Sequence, residues 1–141
     1  MSTSSISGKN IQRKWYLIDA KDQILGRMAT QIATILMGKN KAGFVPYLDM
    51  GDFVVVTNAS KVLISGKKSQ TKRYVRHSGY PGGLRVEIFD EMIKRKPEYI
   101  IEHAVLGMLP STKLGRKMIK KLKVFAGDEH PYKKQLEEES K

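Results

Sequence analysis

With 141 residues, 40% of them hydrophobic, the chain carries enough apolar material for one core and has no need of a second domain. Twenty-six Lys and Arg against fourteen Asp and Glu leave a formal charge of +12 and a pI near 9.9, which favours an extended anionic partner over a small acidic substrate. Nucleic acid leads and an anionic membrane surface comes second, while the absence of cysteine excludes a disulfide framework, a Cys-ligated zinc site and a thiol nucleophile.

Residues 1–12 are small and polar, lack the apolar stretch of a secretory signal, and read as a flexible arm. A single folded domain is expected over residues 13–132. Trp15-Tyr16-Leu17-Ile18 is a continuous apolar run that suits a strand covered on both faces, and Asp19 to Gln23 supplies the turn after it. Leu25 to Met37 is helical: Leu25, Met28, Ala29, Ile32, Ala33, Ile35 and Leu36 share one side, Arg27, Thr30, Gln31 and Thr34 the other, and Gly38 fits the left-handed position past a helix end. Lys39 and Lys41 follow it in a loop, where they also complement the helix dipole.

Phe53-Val54-Val55-Val56 is the densest apolar run, far shorter than the ~20 residues of a membrane span. A soluble intracellular protein is expected. With Trp15–Ile18 and the helix between, this run makes a strand–helix–strand unit and hence parallel pairing. Lys61–Ile64 reads as a third strand and Lys123–Ala126 as a fourth.

From Asp52 to Glu87 no acid intervenes, while Lys61, Lys67, Lys68, Lys72, Arg73, Arg76 and Arg85 do. Tyr74, His77 and Tyr80 interleave with these cations, and Ser78-Gly79-Tyr80-Pro81-Gly82-Gly83 makes a turn, so the stretch reads as a projecting basic lobe. Glu87–Lys96 and Pro97–Leu109 are expected helices, the second with Pro97 at its first position and Ile100, Ile101, Ala104, Val105 and Met108 as its core stripe. Past Gly107-Met108-Leu109-Pro110, Ser111 or Thr112 can cap a helix over Leu114–Leu122. At about 100° per residue Lys113, Arg116, Lys117, Lys120 and Lys121 fall on one arc, with Leu114, Met118, Ile119 and Leu122 on the other. No acid lies between Glu102 and Asp128 to neutralise that arc. Residues 133–141 read as a frayed acidic tail.

Catalytic chemistry finds little support. Gly66-Lys67-Lys68-Ser69 looks like the end of a phosphate-binding loop, but the first glycine would fall on Lys61 and no helix follows directly. His77, His103 and His130 are scattered and form no helical pair with an acid, so neither a metal nor a cofactor is expected, and His103 reads as structural. Asp19, Asp49 and Asp52 lie near strand ends, where carboxylates usually cap backbone groups.

Several motifs in one order strongly resemble the universal large-subunit ribosomal protein L-thirteen family, in its bacterial and organellar form. They are Trp15 to Ala20, Leu25-Gly26-Arg27-Met28-Ala29-Thr30, Gly38 to Lys41, Gly51 to Val56 with Asn58-Ala59, His77 to Gly83, Gly107 to Pro110, Leu114-Gly115-Arg116 and Lys121 to Gly127. Leu106 stands where many members carry a lysine. The resemblance, covering about Trp15 to Pro131, implies an α/β protein: a three-layer α/β/α fold with a parallel four-stranded sheet. It implies a non-enzymatic component of the large ribosomal subunit that binds 23S-type rRNA early in assembly, beside neighbouring ribosomal proteins, with no membrane or small-molecule substrate. The place would be the cytoplasmic ribosome, or an organellar one. On this chain the implied RNA contacts are Arg27, Lys39, Lys41, Lys67, Lys68, Lys72, Arg73, Arg76, His77, Arg85, Lys113, Arg116, Lys117, Lys120 and Lys121.

The mechanism so expected is structural: two basic surfaces neutralise phosphates of separate RNA segments, and Tyr74, His77 or Tyr80 stacks on an unpaired base. An RNA-binding regulator of mRNA fits the same surface, and a basic RNA-processing or nucleotide-using enzyme on a similar sheet is the remaining alternative.

Overall fold

The computed structural model describes residues 6–139; residues 1–5 of the arm and 140–141 of the tail lie outside the described residues. In chain order the elements are β1 (Trp15–Asp19), α1 (Leu25–Met37), β2 (Phe53–Thr57), α2 (Lys68–Thr71), β3 (Arg73–His77), β4 (Leu84–Ile88), α3 (Phe89–Arg95), α4 (Pro97–Met108), α5 (Lys113–Ile119), β5 (Leu122–Val124) and α6 (Lys133–Glu139). Short 3-10 turns at Gly8–Asn10 and Ala59–Lys61 complete the order.

The central sheet runs β1-β2-β5, all parallel, with Trp15 opposite Phe53, Asp19 opposite Thr57, and Val54 and Val56 opposite Leu122 and Val124. The protein is therefore α/β, with three strands where four are expected. Lys61–Ile64 does not become a strand because Asn58, at φ 56°, turns the chain into the Ala59–Lys61 turn, whose own backbone bonds consume Lys61 and Val62. The Lys61 carbonyl accepts from the Asp22 N–H at 3.3 Å, and Leu63 gives to Gln23 and accepts from Leu25 at 2.9 Å each, an isolated bridge, before Gly66 turns the chain away at φ 69°.

Residues directly opposite one another share a sheet face. Val54, Val56, Leu122, Ile18 and Val124 accordingly look toward one core, built with Met28, Ile32 and Leu36 of α1, Ile100, Ile101 and Val105 of α4, and Met118 of α5. The other face carries Trp15 stacked on Phe53 at 4.4 Å and on Tyr132 at 5.2 Å, with Phe125 between Tyr132 and His130, and α6 lies against β1. The segment read as a tail thus contributes a helix to a thin third layer. Gly38 ends α1 in the left-handed region at φ 79°, its N–H reaching the Thr34 and Ile35 carbonyls.

The 52–87 stretch departs most from its expected form. It is an antiparallel β3–β4 hairpin in which Val75 faces Val86 and Arg76 faces Arg85, followed by a helix that starts at Phe89 instead of Glu87. Leu84-Arg85-Val86-Glu87-Ile88 alternates with period 2, a strand pattern, and the structure honours it up to the first residue of α3.

Candidate nucleic-acid interface

α5 displays its cations as a consequence of how its other face is seated. The Thr112 hydroxyl accepts from the Gly115 N–H at 3.4 Å and starts the helix. Gly115 is buried where a Cβ would lie 1.8 Å from the Pro110 carbonyl oxygen, so only glycine lets the helix close on the preceding turn. With Met118 at 3% exposure holding the inner side, Lys113, Arg116, Lys117 and Lys120 are exposed and enter no ion pair among the described residues.

Lys121 belongs elsewhere. The helix ends at Ile119, two residues before it, so the 100° spacing that puts Lys121 on the outer arc no longer applies, and its side chain turns inward to 5% exposure. Its Nζ pairs with Asp49 Oδ1 at 2.5 Å and donates to the Leu36 carbonyl at 3.3 Å. Burial pushes its pKa below the usual lysine value, more than the Asp49 hydrogen bond and charge raise it. Arg13 approaches the other Asp49 oxygen at 3.7 Å.

Lys41 is likewise engaged, 2.6 Å from the fully buried Asp52 and 2.7 Å from the Gln12 carbonyl it donates to. Asp52 Oδ1 also accepts from the Lys14 N–H at 3.0 Å. The half-buried Asp49 and the fully buried Asp52 therefore pin the 38–52 loop to the body through ion pairs, a stronger role than backbone capping. Asp19 does cap: it accepts from the Lys21 N–H and the Asn58 amide, both at 2.9 Å, and those bonds hold its carboxyl below the usual range. Arg27 and Lys39 remain exposed on α1 and just past it.

The hairpin has two unlike faces. Tyr74, Arg76, Arg85 and Glu87 share one; Arg73, Val75, His77, Leu84, Val86 and Ile88 share the other. Tyr74 roots the first face in the body at 5% exposure, edge-on to Tyr99 and His103, which stack on each other at 5.4 Å. Tyr74 is thus unable to stack on a base, and burial pushes its phenol up to about 12. Glu87, the acid at the foot of the hairpin, receives Arg95 of α3 at 2.7 Å and Arg76 at 3.3 Å, tying the hairpin to α3.

At the tip, Arg76, His77 and Arg85 line a concavity of about 420 Å³ with Ser78, Gly82 and Gly83. The Gly79 N–H donates to His77 Nδ1 at 2.9 Å, which leaves Nε2 as the protonated nitrogen of the neutral ring. Tyr80, in the same turn, is 76% exposed. Lys67, Lys68, Lys72 and Arg73 are exposed at the base, Lys72 Nζ lying 5.6 Å from the Tyr74 ring centre. Sequence reading missed the Arg95–Glu87–Arg76 link and the apolar hairpin face; the period-2 pattern of residues 84–88 was the available signal for the second.

Among the described residues no cluster of three His, Asp or Glu could hold a metal ion, and no helix is long and apolar enough to cross a membrane. The geometry is that of a rigid scaffold for positive charge. Compared with known families, residues 13–131 match the model of the family described as Ribosomal protein L13. Proteins named large ribosomal subunit protein uL13 are similar over nearly the whole chain. That of Microcystis aeruginosa is 62% identical over 130 residues, 92% of this chain and 86% of its own length. That of Chlorobium limicola is 55% identical over 139 residues, 99% of this chain and 93% of its own. A third, from Synechococcus sp. strain CC9311, is 56% identical over 92% of this chain and 87% of its own.

Proposed function

The chain belongs to the ribosomal protein L13 family, of bacterial type, and on that premise we propose how it serves the large ribosomal subunit. It is a structural component of that subunit and not an enzyme. In our reading residues 13–132 form the RNA-binding domain, its partner is 23S-type rRNA in the cytoplasmic ribosome, and it acts early, before the subunit's RNA is fully packed. The observation that carries this reading is α5 with its end: four exposed cations that enter no ion pair among the described residues, on a helix whose opposite face is locked into the core.

Arg27, Lys39, Lys67, Lys68, Lys72, Arg73, Arg76, His77 and Arg85, with Lys113, Arg116, Lys117 and Lys120, form the proposed contact set. Lys41 and Lys121 instead hold the 38–52 loop. Phosphate neutralisation supplies affinity, and RNA shape, with Tyr80 and His77 free to stack at the hairpin tip, supplies selectivity. Filter binding of the purified protein to large-subunit rRNA across a salt series tests this: each contact adds roughly 0.7 to 0.9 to the slope of log affinity against log salt. A flat salt response overturns it.

A further inference from the structure

Residues 6–14 and the 38–52 loop clasp each other. Lys41 Nζ donates to the Gln12 carbonyl at 2.7 Å, Arg13 donates to the Asp49 carbonyl at 3.2 Å, and the Lys14 N–H donates to Asp52 at 3.0 Å. The Ile6 side chain lies against Gly43, where a Cβ would come within 2.5 Å of its Cδ1 atom. Between the two segments is a cavity of about 490 Å³, within the roughly 300–1,000 Å³ of small-ligand sites. Ile6, Ile11 and Met50 give it apolar walls, and Asn10, Gln12 and Lys14 bring polar groups to it.

We propose that this cavity takes one unpaired nucleotide of the large-subunit rRNA, a third contact beside α5 and the hairpin; the inference rests on the RNA-binding reading above. Charge selects the class of ligand. No acid precedes Asp19, whereas Lys9, Arg13 and Lys14 do, and the two acids of the loop, Asp49 and Asp52, are already held in ion pairs. Lys9 and Lys14 are exposed and enter no ion pair among the described residues, so a phosphate at the mouth meets unpaired cations. A phosphate alone would leave the rest of the lining without a purpose. The side-chain amides of Asn10 and Gln12 are exposed and make no hydrogen bond among the described residues. Each offers two donors and an acceptor, the complement of a base edge, and the apolar walls suit the faces of its ring. A base in a duplex already spends its edge on its partner, so the nucleotide that enters is a single-stranded one.

Chemical probing of base edges in the complex with large-subunit rRNA tests it, using the wild type and the double variant Asn10→Ala/Gln12→Ala. The wild type should shield a single-stranded base that the double variant leaves reactive, and the variant's rRNA affinity should fall about tenfold, the worth of about two hydrogen bonds. Its melting temperature and salt slope should not move, because both side chains are exposed and uncharged. Lys14→Gln should instead lower the slope by roughly 0.7, the loss of one single-strand phosphate contact. An unchanged footprint and affinity in the double variant overturns the proposal while a steep wild-type slope keeps the RNA reading; a flat wild-type slope strikes at that reading itself. Nucleoside monophosphates titrated against the whole protein, read by amide shifts at Asn10 and Gln12, separate the two sources of such a ligand. Binding of the free nucleotide without an rRNA footprint overturns the assignment to rRNA.

Discussion

At the scale of single residues, two lysines four apart make opposite demands. Lys117 is exposed on the outer arc of α5, and Lys121 is buried against Asp49 and the Leu36 carbonyl. Lys117→Gln should change stability by less than about 0.5 kcal/mol and reduce the salt slope of RNA binding by roughly 0.7 to 0.9. Lys121→Gln should cost about 2 kcal/mol, because the half-buried Asp49 carboxylate loses its short partner and keeps only Arg13 at 3.7 Å, and should leave the slope alone once the protein is folded. Thermal melts and salt titrations of both variants check the pair of outcomes. The helical wheel could not separate them, since the wheel holds only while the helix lasts and α5 stops at Ile119.

Tyr74 gives a pH prediction. Its phenol titrates near 10 in the unfolded chain and about 12 in the fold, so between those values the unfolded state has lost a proton that the folded state keeps. The stability associated with that proton is fully present below pH 10 and is lost as pH rises through about 12. Lys121 acts with the opposite sign: its folded pKa lies below the unfolded value of 10.5, so the unfolded state binds more protons and stability rises as pH climbs toward 10.5. Tyr74→Phe should remove the alkaline loss above pH 10 in denaturant titrations and preserve the rise below it. Retention of the full alkaline loss in that variant would show that Tyr74 is not the group responsible.

At the scale of elements, the β3–β4 hairpin was legible in its cations and not in its faces. An acid-free run of Lys and Arg marks a basic surface wherever the chain goes, but which side chains share a side depends on the register, and Val75 opposite Val86 is settled only when the strands pair. Glu87 is the element's hinge pin. Glu87→Gln removes a negative charge from a protein of net charge +12, and charge alone says that RNA binding should strengthen. If the carboxylate instead aims the hairpin by holding Arg76 and Arg95, affinity for large-subunit rRNA should fall roughly fivefold, the equivalent of ~1 kcal/mol, with binding to unrelated RNA unchanged or stronger. Comparing the two RNAs separates aim from charge.

At the scale of the whole molecule, the parallel sheet and the core faces of α1 and α4, apart from Met108, which is exposed at the end of α4, were readable because long apolar runs and 3.6-residue periods survive most tertiary contexts. The fourth strand was not, because Lys61–Ile64 has strand composition while Asn58 and Gly66 at its two ends, both at positive φ, decide that the chain turns. What the fold achieves is to fix α5 and the hairpin to one body, so that neither cationic surface can follow a moving RNA segment independently. Replacing Lys113, Arg116, Lys117 and Lys120 with glutamine should flatten the salt slope on intact large-subunit rRNA by about 3 if all four meet phosphates, and replacing Arg76 and Arg85 by about 1.5. The two reductions should add when the sets are combined, since they change separate surfaces. Affinity should behave differently: on intact rRNA either set alone costs the shared tether as well as its own contacts, whereas on an RNA fragment that reaches only α5 the hairpin set should have no effect. Equal losses from both sets on every fragment would mean that the surfaces meet the same RNA segment, and the bridging role of the body would fall.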